Sequence, residues 1–339
     1  MRTLLVSHRE VAALLPMREC IDTMADAFCA LAIGEARLPL RQVIPLPGSR
    51  NLLALMPGQL GVNSPERTRS AIGAKVITVF PGNDATPFDS HLGVVLLFEA
   101  DMGRLVAIID ASSVTAIRTA AVSGVATKLL SNPDAGDLAI LGAGVQAMTH
   151  LEAMRAVRTL RRVRIWSRTP ERRVQFAERA HKRFGVDVEV TDSAEACVRG
   201  ADLICTVTAS REPVLSGRWI SEGAHINAVG AALPTARELD SAAVARSLLY
   251  VDRRESALAE AGDILIPVSE GAFTADHIRG ELGQVLMGAV PGRDSPSEVT
   301  LFKSLGLAVE DLAAARHIYE KAIALGTGVW MSLGGLRET

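Results

Sequence analysis

The stretch Leu138-Ala-Ile-Leu-Gly-Ala-Gly-Val-Gln-Ala147 passes from an apolar run directly into two closely spaced glycines. The apolar run predicts a buried strand, and the residues after Gly144 are compatible with a helix. Gly142 permits a tight bend, Gly144 lets a pyrophosphate approach the backbone, and the small Ala147 lets the helix pack closely on the strand. The stretch therefore predicts a dinucleotide-binding turn, with phosphates at the helix N-terminus.

A second apolar run follows about twenty residues later and ends in polar residues. Its residues Val163-Arg-Ile-Trp166 predict a strand, and Ser167-Arg168-Thr169 comes directly after it. An acidic residue at this place would hold the ribose 2′-hydroxyl of NAD, whereas an arginine accommodates a 2′-phosphate. We therefore expect NADPH as the cofactor in preference to NADH. Thr169 as cap and Pro170 at the first helical position predict the start of the next helix.

Strands and helices alternate through the whole region from residue 137 to residue 252. Asp192 followed by Ser-Ala-Glu195 predicts a helix start with a reciprocal cap. Alternation at this spacing predicts a parallel, doubly wound sheet, and thus a Rossmann domain over residues 121–305. The predicted strands are 138–141, 163–166, 186–190, 203–208, 225–229 and 248–251.

The remainder of the chain predicts an α+β domain beside this α/β Rossmann domain. Residues 7–34 have helical apolar spacing, and short apolar runs separated by turn residues between 51 and 109 predict an antiparallel sheet. Residues 112–130 predict a helix. Residues 298–325 also have helical spacing, with Gly306 as the only breaker, and predict one long helix that returns to the first domain. We therefore assign residues 1–120, completed by 306–339, to an N-terminal domain.

Composition favours a globular protein that acts on small molecules. The 339 residues are 48% hydrophobic and 22% charged, with a net charge of -2, which gives no general attraction for nucleic acid or an acidic membrane surface. The four cysteines form no C-x-x-C pair, and no secretory signal or membrane span is recognisable, so we expect a cytoplasmic protein. No histidine or cysteine spacing predicts a metal site.

Three cations stand at unusual places in the N-terminal region. Arg41 lies among prolines, Lys75 inside an apolar strand, and Arg118 inside an alanine-rich helix. A buried cation needs compensation, either by carboxylates of the fold or by a bound anion. The alternative for Lys75 is that it alternates onto the solvated face of its strand.

Six collinear segments identify the chain as similar to the ornithine cyclodeaminase and mu-crystallin family. The resemblance runs from the N-terminal helix to the final glycines. The segments are Gly73-Ala-Lys-Val-Ile77, Pro87-Phe-Asp-Ser-His-Leu-Gly93, Ala116-Ile-Arg-Thr-Ala-Ala121, Leu141-Gly-Ala-Gly-Val-Gln146, His225-Ile-Asn-Ala-Val-Gly230 and Thr300-Leu-Phe-Lys-Ser-Leu-Gly306.

The resemblance implies a substrate site, a cofactor site and an assembly. Arg41, Lys75 and Arg118 would surround the carboxylate of a small amino or imino acid, with Lys75 and Arg118 as catalytic residues. His91 would lie beside them, with a purely structural role as its alternative. Members of the family dimerise through the N-terminal sheet, which implies a homodimer. The implied cofactor contacts are Ser90, Arg118, Gly142, Gly144, Val145, Gln146, Ser167, Arg168, Thr169, Thr208, Val229, Gly230 and Ser304.

Two departures from the family pattern bear on the reaction. In enzymes that cyclise ornithine an aspartate follows the Val-Gly segment, but Ala231 and Ala232 stand here. A glutamate expected before Leu55-Met-Pro57 is replaced by Ala54. Both losses remove carboxylates that would receive or hold substrate amino groups, which argues against ornithine cyclisation.

The expected activity is NADPH-dependent reduction of an imine that is already formed. Δ1-Pyrroline-2-carboxylate and Δ1-piperideine-2-carboxylate are such substrates, and each would give an L-amino acid. A protonated C=N carbon accepts hydride without a strong acid in the site. Three alternatives remain: reductive amination of the alanine dehydrogenase kind, reduction of an open-chain iminosuccinate or opine-type imine, and a non-catalytic NADP-dependent ligand-binding protein.

Overall fold

The computed structural model describes residues 2–61 and 70–335. The chain forms two compact units. The first consists of Met1–Arg118 with Leu307–Thr339, and the second of Thr119–Gly306. Met1, residues 62–69 and residues 336–339, which the sequence assigns to the N-terminal domain, lie outside the described residues.

The strands and helices are numbered in chain order. The strands are β1 Arg2–Val6, β2 Ala36–Arg37, β3 Gln42–Pro45, β4 Leu52–Leu60, β5 Ala71–Val79, β6 His91–Phe98, β7 Leu105–Asp110, β8 Asp137–Leu141, β9 Arg162–Trp166, β10 Glu189–Val190, β11 Leu203–Thr206, β12 His225–Ala228, β13 Leu248–Val251, β14 Ile278–Glu281, β15 Thr300–Lys303 and β16 Val329–Ser332. The α-helices are α1 His8–Leu14, α2 Met17–Ala32, α3 Ala111–Leu130, α4 Val145–Val157, α5 Pro170–Phe184, α6 Ala194–Val198, α7 Ser241–Ala245, α8 Arg254–Glu260, α9 Gly262–Ser269, α10 Leu282–Leu286 and α11 Ala308–Leu325.

The first unit is built on a mostly antiparallel sheet of strand order β16-β1-β7-β6-β5-β4-β2, with β3 also paired to β4. This confirms the antiparallel arrangement predicted between residues 51 and 109. Helix α11 packs across β4, β5 and β6. Gly73 permits this approach, because a Cβ there would lie 2.9 Å from the Leu312 Cδ2 atom and 2.0 Å from the Leu96 carbonyl oxygen.

The second unit is built on an all-parallel sheet of strand order β10-β9-β8-β11-β12-β15-β13-β14. From β8 the chain adds β9 and β10 on one side of the sheet and then β11 and β12 on the other. The sheet is therefore doubly wound, which confirms the predicted Rossmann fold. Its central strands β8, β11, β12, β13 and β15 are buried almost throughout, as expected of a parallel sheet covered on both faces. The carboxyl ends of β9, β8, β11, β12 and β15 therefore share one edge.

The long helix predicted over residues 298–325 is wrong in its first third. Residues Thr300–Lys303 form the buried strand β15, and the helix begins only at Ala308. Between them Gly306 has a φ of 83°, a left-handed conformation that interrupts any helix. A short apolar run bounded by polar residues has no period of its own, so helical spacing alone could not exclude a central strand.

The helix start predicted at Asp192 is displaced by one residue. Ser193 is the N-cap of α6, and its side chain accepts a hydrogen bond from the Ala196 backbone N–H at 3.0 Å. Serine and aspartate serve equally well at this position, so local geometry selected between adjacent candidates.

Candidate active site

Lys75 is buried in the middle of the first unit's sheet. It lies on β5 opposite Met56 and Val95 of the flanking strands and is 2% exposed, so the alternative of a solvated lysine is wrong. Its Nζ lies 2.7 Å from Oδ2 of Asp311 and 3.4 Å from the Thr115 hydroxyl oxygen. The lysine is therefore held by residues of two helices, α11 and α3.

Arg118 on α3 is held by two neighbouring carboxylates on the first turn of α11. Its Nη1 donates to Oε2 of Glu310 at 2.7 Å, and its Nε donates to Oδ1 of Asp311 at 3.0 Å. Both acids are fully buried. The adjacent pair Glu310 and Asp311 thus engages Lys75 and Arg118 together, and two cations face two carboxylates.

The protonation states follow from this pairing. Desolvation opposes the charge on Lys75, Arg118 and Asp311. The carboxylates nevertheless raise the pKa of Arg118, and the charges of Arg118 and Lys75 lower the pKa of Asp311. Desolvation and the charge of Arg118 lower the pKa of Lys75 to about 8, against the attraction of Asp311. The lysine is consequently a cation at neutral pH that can release its proton a little above it.

Sequence reasoning identified the cations but missed Glu310 and Asp311. The available signal was an acidic pair inside the otherwise apolar segment Ala308-Val-Glu-Asp-Leu-Ala-Ala-Ala315. Adjacent charges in such a helix call for the same explanation as Lys75 in its strand.

Arg41 and His91 lie close to this cluster. Arg41 precedes β3, is partly exposed, and lies near enough for its charge to contribute to the lowered pKa of Lys75. His91 begins β6, and its Nδ1 is 2.9 Å from the Ser90 hydroxyl oxygen. Desolvation first, and then the charges of Lys75 and Arg118, lower the pKa of His91. His91 is therefore neutral at pH 7 and contributes a hydrogen-bonding ring near the cations.

The glycine turn of the second unit has the geometry that the sequence predicts for a phosphate cradle. Gly142 has a φ of 118°, and a Cβ there would lie 2.6 Å from the Val207 carbonyl oxygen, so the bend itself requires glycine. Gly144 is the N-cap of α4, and a Cβ there would meet no atom within 4 Å. Space therefore remains above the backbone at the start of Val145 and Gln146, where a pyrophosphate is expected.

The other cofactor residues predicted in the second unit lie at the same edge of its sheet, whereas Ser90 and Arg118 belong to the first unit. Arg168 is exposed just after β9, between the buried Ser167 and the helix cap Thr169. Thr208, Val229 and Gly230 follow β11 and β12. Ser304 follows β15, is 1% exposed, and its hydroxyl has no hydrogen-bond partner among residues 2–61 and 70–335. An open cradle and an orphaned hydroxyl at one edge fit a bound dinucleotide.

Two other kinds of chemistry find no support among the described residues. Burial raises the pKa of Cys197 to about 11 and of Cys205 to about 12, and also raises that of Cys20, which suppresses the thiolate a nucleophile requires. Residues 2–61 and 70–335 bring together no group of three potential metal-binding side chains. The same residues contain no helix with the length and apolar character to cross a membrane.

These features define the class of the protein: a Rossmann-fold protein whose second unit carries a dinucleotide-type turn and whose first unit carries a buried ionic cluster. The chain belongs to the ornithine cyclodeaminase/mu-crystallin family, whose sequence model matches residues 1–325. The resemblance stated from the six segments is thereby confirmed.

Three relatives are informative. The ketimine reductase mu-crystallin of Mus musculus is 42% identical over 287 residues, covering 85% of this chain and 86% of the mouse protein. The Thermococcus litoralis Δ1-pyrroline-2-carboxylate reductase, solved with NADH and L-proline, superposes with a TM-score of 0.92 at 38% identity, covering 96% of this chain and 99% of the other. An archaeal alanine dehydrogenase dimer with bound NAD superposes with a TM-score of 0.91 at 30% identity, covering 98% and 100%.

Proposed function

We propose that this protein reduces a small cyclic 2-imino carboxylate to the L-amino acid with NADPH. Δ1-Pyrroline-2-carboxylate and Δ1-piperideine-2-carboxylate are the proposed substrates. The buried pair Lys75 and Arg118, held by Glu310 and Asp311, is the observation that carries the proposal. Two relatives that align over most of this chain bear the names of such reductases.

The proposed role of Arg41, Lys75 and Arg118 is to hold the substrate carboxylate. The arginines offer planar forks that match a carboxylate, and Lys75 offers a compact positive charge. Glu310 and Asp311 fix the direction of the two buried cations, so little ordering is needed when substrate binds. His91 would complete this environment as a neutral hydrogen-bonding group.

The imine needs little acid or base assistance. A bound nicotinamide supplies the hydride. A cyclic ketimine is readily protonated near neutral pH, so its C=N carbon is already electrophilic when it binds. In the reverse direction a base must take the ammonium proton, and Lys75, with a pKa of about 8, is the candidate for it.

NADPH is the proposed cofactor because Arg168 stands where an NAD-specific domain would carry an acid. The proposed contacts also include Ser90, Arg118, Gly142, Gly144, Val145, Gln146, Ser167, Thr169, Thr208, Val229, Gly230 and Ser304. Two relatives were solved with NADH or NAD, so a direct comparison of the two reductants is decisive.

A second candidate is reductive amination of pyruvate with ammonia. The archaeal alanine dehydrogenase favours it, since that protein matches this chain over its whole length. Ornithine cyclisation is disfavoured by Ala54 and Ala231, because neither side chain can engage a substrate amine.

We also propose a homodimer, the state in which the alanine dehydrogenase is described, and a cytoplasmic location consistent with four free cysteines.

The test is NADPH oxidation with the two cyclic imines, run beside pyruvate with ammonia, oxaloacetate with ammonia, and ornithine with NAD. We expect fast turnover with a cyclic imine and slower turnover with NADH. Turnover only with an oxo acid and ammonia would replace the proposal by reductive amination. Tight NADPH binding without oxidation in any assay would instead identify a binding protein.

A further inference from the structure

A buried carboxylate outside the predicted site ties together two loops at the carboxyl edge of the Rossmann sheet. Glu238 is fully buried. Its Oε1 accepts the Thr208 backbone N–H at 2.6 Å, and its Oε2 accepts the Gly230 backbone N–H at 2.7 Å and the Thr206 hydroxyl at 2.9 Å. One side chain thus sets the positions of the segments that follow β11 and β12.

The two segments are in close contact at this point. The backbone N–H groups of Val229 and Gly230 both donate to the Thr206 carbonyl oxygen, at 2.9 and 3.2 Å. A Cβ on Gly230 would lie 2.0 Å from the Thr208 carbonyl oxygen and 2.6 Å from Oε1 of Glu238. The carboxylate therefore determines a closely packed backbone arrangement, and a small change in its shape must move Thr208 or Gly230.

A second buried carboxylate and a lysine support Glu238. Oδ1 of Asp263 accepts the backbone N–H groups of Glu238 and Leu239 at 2.7 and 3.0 Å. Lys303 Nζ lies 2.8 Å from Oδ2 of Asp263 and donates to the Ala231 carbonyl oxygen at 2.6 Å. Desolvation, followed by the charge of Asp263, raises the pKa of Glu238. Two acids and one lysine are costly to bury, and stability alone does not require such a set.

The order of the strands indicates which half of a dinucleotide these loops would face. The phosphate turn follows β8, and Arg168, the proposed 2′-phosphate contact, follows β9 on one side of it. β11 and β12 lie on the other side of β8. A dinucleotide lies across the switch point of a doubly wound sheet, so the nicotinamide half belongs over β11 and β12.

We propose that Glu238 is a positioning residue that sets the backbone of Thr208 and Gly230 for the nicotinamide half of the cofactor. The proposal rests on the proposed function, which places a dinucleotide at this edge. Glu238 acts through the two loops and need not touch the cofactor itself.

The experiment compares Glu238→Gln with a closely matched control. Asp240 also accepts two backbone N–H groups and one hydroxyl, from Gly217 at 2.9 Å, Ala243 at 2.8 Å and Ser216 at 2.7 Å. None of these is a proposed cofactor contact. Asp240→Asn therefore reproduces the loss of a carboxylate acceptor, two residues away in sequence, without disturbing Thr208 or Gly230.

The measurements are the dissociation constants of NADPH and of 2′,5′-ADP, which lacks the nicotinamide, together with kcat for imine reduction. Glu238→Gln places an amide N–H against one of the donors, so we expect NADPH affinity to fall by about tenfold, as for one lost charged hydrogen bond. Affinity for 2′,5′-ADP should change less than about twofold, and Asp240→Asn should leave both constants unchanged. Glu238→Asp keeps the charge but has a shorter side chain, and it is expected to lose affinity for NADPH and not for 2′,5′-ADP, as Glu238→Gln does. This variant tests the positioning role if Glu238→Gln does not fold.

Equal losses for both ligands, or no loss for either, would overturn the positioning role, and so would an NADPH loss in Asp240→Asn. These outcomes are independent of the imine. If the unmodified protein binds NADPH but reduces no imine, the proposed function fails while the split between ligands still tests Glu238. If it reduces imines and the variant shows no split, only the role of Glu238 fails.

Discussion

Lys75 Nζ lies 2.7 Å from Oδ2 of Asp311, with both side chains almost completely removed from solvent. Asp311 also binds Arg118 through its other oxygen at 3.0 Å. One carboxylate therefore orients both cations that we propose for the substrate. Since the desolvation cost of each charge is offset only by its partners, the cluster has to be altered in matched pairs to separate folding from activity.

Lys75→Met is expected to lower kcat/KM for the imine by at least about 100-fold, because the methionine cannot hold a carboxylate or a proton. It also leaves Asp311 with one cation fewer, which should lower the free energy of unfolding by about 3 kcal/mol. Adding Asp311→Asn should restore much of the stability without restoring turnover. Lys75→Met alone should bind NADPH within about twofold of the unmodified protein, and near-normal turnover in either variant would refute the substrate role of Lys75.

Inhibitor binding should depend on the protonation of Lys75. Its pKa is lowered from 10.5 to about 8, chiefly by desolvation, so it carries a charge at pH 7 and loses it as the pH rises above 8. Pyrrole-2-carboxylate is a planar ring carboxylate that resembles the proposed substrate, and it does not titrate in this range. Its inhibition constant, measured in competition with the imine, should therefore increase as the pH passes 8. Lys75→Arg keeps its charge throughout, and any Ki that this variant retains should remain flat between pH 7 and 9.5. A flat profile in the unmodified protein would show that the lysine charge does not contribute.

The two glycines of the turn should respond differently to alanine. Gly142→Ala introduces a Cβ 2.6 Å from a backbone oxygen at a φ of 118°, so we expect the free energy of unfolding to fall by about 2 kcal/mol or more. Gly144→Ala introduces a Cβ into open space, so the melting temperature should remain unchanged while NADPH affinity falls by about tenfold. Thermal melts and nucleotide titrations of both variants distinguish the two roles, and unchanged affinity in Gly144→Ala would argue against a phosphate there.

Arg168→Ala should lower the affinity for NADPH by about tenfold or more, since only NADPH offers a 2′-phosphate. The affinity for NADH should stay within about twofold. Arg162→Ala is the control. It lies at the opposite end of β9, where it forms an exposed ion pair with Glu189 at 2.6 Å, and its loss should affect neither cofactor. An equal loss of affinity for both cofactors in Arg168→Ala would show that Arg168 has a structural role and does not bind the 2′-phosphate.

The Rossmann sheet was predictable because its signals are local. Gly142 and Gly144 follow an apolar strand, and β9, β11, β12 and β13 were predicted from short apolar runs, whereas β14 and β15 were not predicted as strands. The buried cations were also recognisable, because Lys75 and Arg118 interrupt apolar patterns. Their pairing with Glu310 and Asp311 was not, since Asp311 is separated from Arg118 by 193 residues in sequence and no local pattern encodes a contact over that distance.

Glu238 was missed for a related reason. It lies outside every regular element, and its role arises only when the ends of β11 and β12 meet in the folded sheet. The segment 298–307 was misread as helix because a buried parallel strand is apolar on both faces and shows no alternation. Sequence reasoning therefore recovered the elements marked by local spacing and turn residues, and it missed those that only tertiary contacts define.

The placement of Glu310 and Asp311 has a consequence for how the chain matures during synthesis. Lys75 and Arg118 emerge from the ribosome early, but their compensating acids lie on a helix that follows the entire Rossmann unit. Until α11 is made, Lys75 and Arg118 lack their carboxylate partners. The apolar helix face that packs over Gly73 is also missing from the first sheet. The unit that begins first in the chain is thus the last to be completed, and a nascent chain stalled before residue 307 should present a folded second unit beside an unfinished first one.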